Sequence, residues 1–330
     1  MKIYQFPEIY QDWIEKRLGS LHYTLRQPQK LAAAILKASD LYQQDDSLSP
    51  WQDADFRAAY YCYFFPLNYV RSLKAIDEAK QLGFFHAQQK YVDYGCGPGT
   101  LSAALRDQEI PMKSLVGTDH DLSLKTDYLA LSHGSFDPRG KTIPLKGKTL
   151  LASYVLNELK EPPAFWLQAD SIFLIEPATH QAFKKLLAFR DQLLREGFYL
   201  WAPCPHSFSC PLTNSRKDWC HDRVHWKWPQ WFADLQSHLP MKNYTLTMSY
   251  LIASRNPPPK LNSVRIIGDE LKEKGKSRWM ICQNDQRQFL SFLHRQGHPP
   301  ELHRGQSLKS VQGSPKGNEI RISSKEDIQF

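Results

Sequence analysis

Residues 91–105 read YVDYGCGPGTLSAAL. An apolar run closes on Asp93, glycines alternate at Gly95, Gly97 and Gly99, and small helix-forming residues begin at Thr100. Glycine accepts positive φ and lets a ligand approach the backbone closely. The pattern therefore predicts a strand, a tight loop and a helix, with a nucleotide-like ligand at the carboxyl edge of a sheet. The spacing is G-x-G-x-G. It is neither the G-x-G-x-x-G of dinucleotide folds nor a P-loop, because no Lys-Ser/Thr follows. The next strand, SLVGTD at 114–119, ends in Asp119, about 20 residues past the last glycine. A carboxylate there accepts hydrogen bonds from ribose hydroxyls, with Asp121 in reserve. A glycine turn serving geometry alone, with nothing bound, is the alternative.

Outward from this loop, short apolar runs alternate with amphipathic ones. KYVDYG, SLVGTD, TLLASYVL, SIFLIEP, FYLWAP and TMSYLIAS are predicted strands, and HQAFKKLLAFRDQLLREG at 180–197 is a predicted helix stopping at Gly197. Such alternation implies an α/β fold, a parallel sheet with helices on its faces. Residues 1–88 read as a helical N-terminal domain and 89–256 as the α/β domain. After the Pro-rich break RNPPPK, RWMICQ, QFLSFLHR and NEIRIS mark 257–330 as a small β-rich C-terminal extension.

At 330 residues, with ordinary hydrophobic content, the chain is long enough to bury one large core or two. Lys and Arg outnumber Asp and Glu by 42 to 34, which favours an anionic partner such as RNA. No stretch approaches the roughly 18 uninterrupted apolar residues of a membrane span, and MKIYQFPEIYQDWIEKRL lacks the apolar centre of a signal peptide. A cytoplasmic location is expected, without membrane contact. In that compartment thiols stay reduced, so the six cysteines point to metal or catalysis rather than to disulfides.

With an acid two positions ahead of its first glycine, the loop resembles motif I of the class I S-adenosylmethionine (SAM) methyltransferases. The resemblance implies a Rossmann-like sheet that binds SAM through Asp93, Gly95, Gly97, Gly99 and Asp119. Methyl transfer is a separate matter. Amino-directed nucleic-acid enzymes of this class carry an Asn/Asp-Pro-Pro-aromatic turn after the fourth strand, whereas this chain has Asn157-Glu158-Leu159, with Pro162-Pro163 too late. Ala202-Pro203-Cys204 resembles the Pro-Cys nucleophile of RNA cytosine-C5 enzymes, but it follows FYLWAP, two strands too late, and has no second cysteine in the expected neighbouring strand.

Residues 202–232 form a cysteine-rich insertion, with Cys204, Cys210 and Cys220 in the pattern Cx5Cx9C and His206 and His221 close by. The CxxC pairs usual in zinc ribbons do not occur here. Spacing alone leaves zinc, an iron–sulfur cluster or free buried thiols open.

Here a narrower resemblance enters. APCPH, CPL and DWCHDRV, preceded by ASYVLNEL and LIEPATHQAFKKLLAFRDQLL, resemble the methyltransferase-like ribosomal small-subunit assembly family, over roughly 55–285. That resemblance implies a four-cysteine [4Fe–4S] cluster on Cys204, Cys210, Cys220 and, from RWMICQ, Cys282. It implies as partner the small ribosomal subunit or its precursor, bound through rRNA and not DNA. The chain departs from the family at Asp222, where Phe-Ser is common after the Cys-His, and its C-terminal extension matches loosely. The function expected is assembly or translation, with catalysis open; an active RNA methyltransferase and a binding module with an empty loop are the alternatives. DRVHWKWPQWF mixes cations with Trp226, Trp228, Trp231 and Phe232, a composition suited to phosphate and unpaired bases or to packing beneath the metal loop. Lys184, Lys185, Arg190, Arg195, Arg216 and Lys217 are either a solvated or a phosphate-contacting face.

Overall fold

The computed structural model describes residues 2–42, 49–259 and 263–330. Eight helices are formed among them: α1 (Ile9–Gly19), α2 (Pro28–Tyr42), α3 (Ala54–Ala59), α4 (Phe65–Gln81), α5 (Thr100–Asp107), α6 (Lys125–Ser132), α7 (His180–Arg195) and α8 (Gln230–Ser237). The main sheet is built from β1 (Ile3–Gln5), β2 (Lys90–Tyr94), β3 (Ser114–Thr118), β4 (Ser135–Phe136), β5 (Thr149–Ser153), β6 (Ser171–Glu176), β7 (Tyr199–Ala202), β8 (Asp222–Lys227) and β9 (Thr245–Ser254).

Its strand order is β1-β8-β9-β6-β5-β2-β3-β4, with β7 also on β9. β4, β3, β2, β5 and β6 run parallel, and β9 lies antiparallel to β6. β6, SIFLIE, is buried along its whole length, as a strand covered on both faces must be. β2 pairs with β3 on one side and with β5 on the other. The chain order reverses there, so the loop after β2 opens at the crevice where open α/β sheets bind ligands.

TLLASYVL is shorter as a strand than its apolar run suggests. β5 ends at Ser153 because Tyr154 takes φ 63°, a left-handed value uncommon outside glycine and the polar turn residues. α7 obeys its periodicity: Phe183, Leu186, Leu187, Phe189 and Leu193 are buried, Thr179 Oγ1 accepts from Ala182 N at 3.1 Å, and Gly197 follows the helix with φ 81°.

The N-terminal helices share one hydrophobic core with the sheet: Leu31, Phe65 and Ile76 belong to the same buried cluster as Phe173 and Ile252. α3 runs through a π-helical turn at Tyr60–Phe64 into α4. The C-terminal strands include β10 (Val264–Ile266), β11 (Leu271–Glu273), β12 (Lys276–Gln283), β13 (Gln286–Leu293) and β14 (Ser307–Leu308), and they form a second sheet of seven strands. That sheet has its own core around Trp279, Leu290 and Phe292. Arg265 of β10 joins it to the rest: its guanidinium, 1% exposed, donates to Glu78 of α4 at 2.5 Å, Asp222 of β8 at 2.6 Å and Tyr250 of β9 at 2.7 Å. No helix among the described residues is long and apolar enough to cross a membrane.

Candidate functional site

The loop after β2 is shaped by its own backbone. Gly95, Gly97 and Gly99 have φ of 63°, 53° and 97°, conformations that other residues adopt at a cost. Gly95 N donates to Thr118 O at 2.8 Å, and Gly99 N donates to Cys96 O at 2.9 Å. A side chain at Gly95 would meet Val155 Cγ2 at 2.6 Å, so the segment after β5 lies directly on the loop.

Both acids expected at the loop reach it. Asp93 is buried, and Ser102 Oγ donates to it at 2.5 Å. Burial lifts its carboxyl to about 7; the Ser102 bond opposes this and the charge of Asp119 adds to it. Asp119 Oδ2 accepts from Gly97 N at 2.8 Å and Oδ1 from Asp121 N at 3.0 Å, with His120 Nδ1 at 3.1 Å. A carboxylate has about four lone-pair sites, so these bonds aim Asp119 at the loop and leave it capacity for ribose hydroxyls. Asp121 instead caps a short turn and takes a bond from Gln52 at 2.8 Å.

Four residues to which the sequence reading gave no part in the loop complete this wall. Trp51 covers the loop, its Cζ2 3.5 Å from where a Gly97 side chain would begin, and Tyr60 Oη shares a hydrogen bond with Thr100 Oγ1 at 3.0 Å. Glu158 takes Ser49 Oγ at 3.0 Å and is raised by burial to about 7. Gly117 of β3 is required because a side chain there would sit 2.3 Å from the Tyr128 ring. Only Gly117 left a readable trace, as a glycine inside a strand. All but Gly117 open, with Asp93 and Asp119, on a cavity of about 1150 Å³.

The turn after β5 is organised by Glu176. Its carboxylate accepts Leu156 N at 2.9 Å and Asn157 N at 3.1 Å, while burial raises it to about 8. The Asn157 side chain is oriented with its amide nitrogen on Glu176 and on the Tyr154 carbonyl, both at 2.9 Å. Asn157 thus holds the turn together.

The cysteines of the insertion gather elsewhere. Cys204, Cys210, Cys220 and Cys282 line a single cavity of about 50 Å³ together with Arg190, His206 and Arg265. Cys282 of β12 is more than sixty residues from the other three in sequence, yet His206 Nε2 stands 3.2 Å from its Sγ. Arg190 of α7 is buried rather than on a basic face: Nε donates to Cys204 Sγ at 3.3 Å, and Nη2 donates to the carbonyls of His206 at 3.3 Å and Phe208 at 2.7 Å. Lys185 gives two of its three ammonium donors to the carbonyls of Asn157 at 2.9 Å and Leu159 at 2.8 Å. Burial, with the charges of Cys204 and Cys210 behind it, pushes the Cys282 thiol up to about 12, and burial pushes Cys210 to about 11. His206 is driven down to about 4 by burial and by Arg190, so its ring is neutral at pH 7.

Among the described residues no group of three or more His, Cys, Asp or Glu is placed to hold a metal ion. A cubane cluster has volume of its own and spaces four thiolates around it, and the cavity here is rimmed by four cysteines and two guanidinium groups.

Cys62 and Cys96 are buried away from this cavity. Trp226, Trp231 and Phe232 pack inward, and Trp228 stacks on exposed Tyr244 with ring centroids 4.8 Å apart.

The strand order with antiparallel β9 and a glycine loop at the reversal point define a class I SAM-methyltransferase fold. More narrowly, the model of the Rsm22 family, the mitochondrial small ribosomal subunit protein Rsm22, matches residues 56–298, and the chain belongs to that family. No curated protein matches. Among solved structures, the plantazolicin methyltransferase BamL, in complex with a triazolic desmethylPZN analog and SAH, is 12% identical, with 69% of this chain and 98% of that one covered, at TM-score 0.39. M. capricolum TrmK in complex with SAH is 9% identical, covering 55% and 69%, at 0.31. Thermoplasma acidophilum 1320 is 14% identical, covering 66% and 96%, at 0.32.

Proposed function

We propose that this protein binds SAM on the loop after β2, carries a [4Fe–4S] cluster on Cys204, Cys210, Cys220 and Cys282, and acts on the small ribosomal subunit through rRNA, in assembly or translation. The observation that carries the reading is the convergence of four cysteines, from an insertion and from a distant strand, on one cavity. In this reading Gly95, Gly97 and Gly99 admit the methionine part of SAM, and Asp93 and Asp119 fix the loop and the ribose. A bound cluster supplies Fe–S bonds that cross-link the insertion to β12, a structural role. Raised thiol pKa values do not oppose it, because metal charge deprotonates a coordinating thiol. Arg190 holds the Cys204 loop closed, and His206 orients against Cys282.

The three-part reading of the chain, with boundaries near 88 and 256, belongs to the same proposal; the separate core of the C-terminal sheet supports the second boundary, while the core that the N-terminal helices share with the main sheet does not support the first. So does action in the cytoplasm; the family description names a mitochondrial subunit, and fractionation of cells decides between the compartments.

The test is anaerobic purification with iron, acid-labile sulfide and zinc measured per chain. About four iron and four sulfide, lost in both Cys204→Ser and Cys282→Ser, is the expected result. Metal-free protein with a reactive Cys204 refutes the cluster. The ribosomal part fails if the protein does not co-sediment with small subunits or their precursors at any salt concentration.

A second reading, an active RNA methyltransferase, is favoured by one observation: the cavity beside the loop is larger than the roughly 300–1,000 Å³ usual for a single ligand. Labelled methyl groups on RNA, lost in Asn157→Ala and kept in Cys282→Ser, support it.

A further inference from the structure

The cavity beside the glycine loop carries both signs of charge. Among the described residues the carboxylates that line it are Asp93, Asp119 and Glu158. Asp119 acts electrostatically on both of the others, so the three form one acidic group at the loop. SAM brings a sulfonium and an ammonium, and these carboxylates complement it. The cations Arg71 and Lys185 line the same cavity and flank the segment after β5. Lys185 rests on the carbonyls of Asn157 and Leu159. The Arg71 guanidinium lies beside Tyr154 and is held in place by donating to Thr247 O at 3.1 Å and Asn68 Oδ1 at 2.8 Å. Tyr154 is half-buried on this wall, and Phe64, half-buried on the same cavity, packs against Tyr42 and Tyr60.

Among the described residues the Tyr154 backbone is the one left-handed non-glycine position that lines the cavity. Strain of this kind persists where surroundings over-determine a conformation, and it clusters at ligand sites. Here the surroundings are explicit: Tyr154 N donates to Ile175 O at 2.7 Å, and the Asn157 amide holds its carbonyl. The ring is thereby fixed beside Arg71.

We propose that the part of the cavity lined by Arg71, Lys185 and Tyr154 is a second ligand site that takes a nucleotide, its phosphate on the two cations and its base against the Tyr154 ring. A guanidinium and an ammonium are the groups that recognise phosphate, and base stacking on aromatic side chains tolerates any base. The nucleotide is either a free mononucleotide or an unpaired residue of RNA, since both present the same phosphate and ring. The site rests on the SAM reading only in giving that nucleotide the place of a methyl acceptor.

The experiment is calorimetric titration of the full-length protein with S-adenosylhomocysteine, uridine 5′-monophosphate and a single-stranded uridine pentanucleotide, each alone. Saturable binding of either uridine probe is expected, weakened at least tenfold in Arg71→Met and in Lys185→Met and partly restored in Arg71→Lys. S-adenosylhomocysteine affinity should stay within twofold in these variants, which also shows that they are folded; Asp119→Asn should give the opposite pattern. Binding of the mononucleotide assigns the site to free nucleotides, and binding of the pentanucleotide alone assigns it to RNA; both support it. No binding of either probe, or binding unchanged in Arg71→Met and Lys185→Met, overturns it. Uridine binding without S-adenosylhomocysteine binding refutes the SAM reading and leaves this site standing.

Discussion

Replacing Arg265 with Met keeps most of the side-chain volume and removes the charge that four elements share. Arg265 donates to Glu78 at 2.5 Å, Asp222 at 2.6 Å, Tyr250 at 2.7 Å and Ser307 Oγ at 2.7 Å, and both acids are buried. Burial by itself raises the Glu78 carboxyl, but Arg265 and Lys74 beside it outweigh burial and hold it down to about 2. In the variant Lys74 remains, 3.2 Å from Glu78 and 3.7 Å from Asp222, one cation for two buried acids. Breaking a buried pair by removing one partner costs about 3–5 kcal/mol, because it strands a charge. We expect that loss at pH 7 as a fall in the urea midpoint. Because the folded pKa of Glu78 is depressed, the stability it contributes is present above about pH 4.5 and is lost as pH falls towards 2. Arg265→Met should shrink that acid-side loss. In a double-mutant cycle with Glu78→Gln, a coupling above about 1 kcal/mol is expected for residues in one network. A loss below about 1 kcal/mol for Arg265→Met, with no coupling, would refute the network as the join between the two sheets.

Gly95→Ala should abolish measurable S-adenosylhomocysteine binding by calorimetry, since the residue has φ 63° and its new methyl would meet Val155 at 2.6 Å. Glu176 is buried with its carboxyl raised to about 8, so stability should fall as pH rises from about 4.5 to 8 and then level off. Glu176→Gln should flatten that slope by roughly 3–5 kcal/mol, at 1.36 kcal/mol per pH unit; melting temperatures across this range check it, and an unchanged slope assigns it to other groups. Iron and sulfide content in Cys204→Ser and Cys282→Ser stands beside these as the chemical test.

The parallel sheet was readable because its strands are short apolar runs closed by turn residues, and α7 because its buried side chains repeat at helical spacing. The glycine loop and Asp119 were readable because both are local in sequence. What escaped depends on partners distant in the chain. Arg190 and Lys185 look like surface cations in a helix, yet backbone carbonyls of other segments hold them in place. Trp51 reaches the loop from a segment whose own pattern carries no ligand signal. Tyr154 ends β5 within an apolar run because its backbone, not its side chain, changes hand. β1 is three residues long and pairs in parallel with β8, Ile3 opposite His225, across more than two hundred residues, a partnership no local pattern encodes.

That last pairing sets an order of events during synthesis. Strand β8 must leave the ribosome before β1 has anything to pair with, and at about 5–20 residues per second the wait is roughly 10 to 45 s. Through that interval the first strand stays an open edge carrying Ile3, which even in the finished protein is 58% exposed. Strand β1 is therefore secured only after β8 has emerged, and the interval before that is when a chaperone has most to protect.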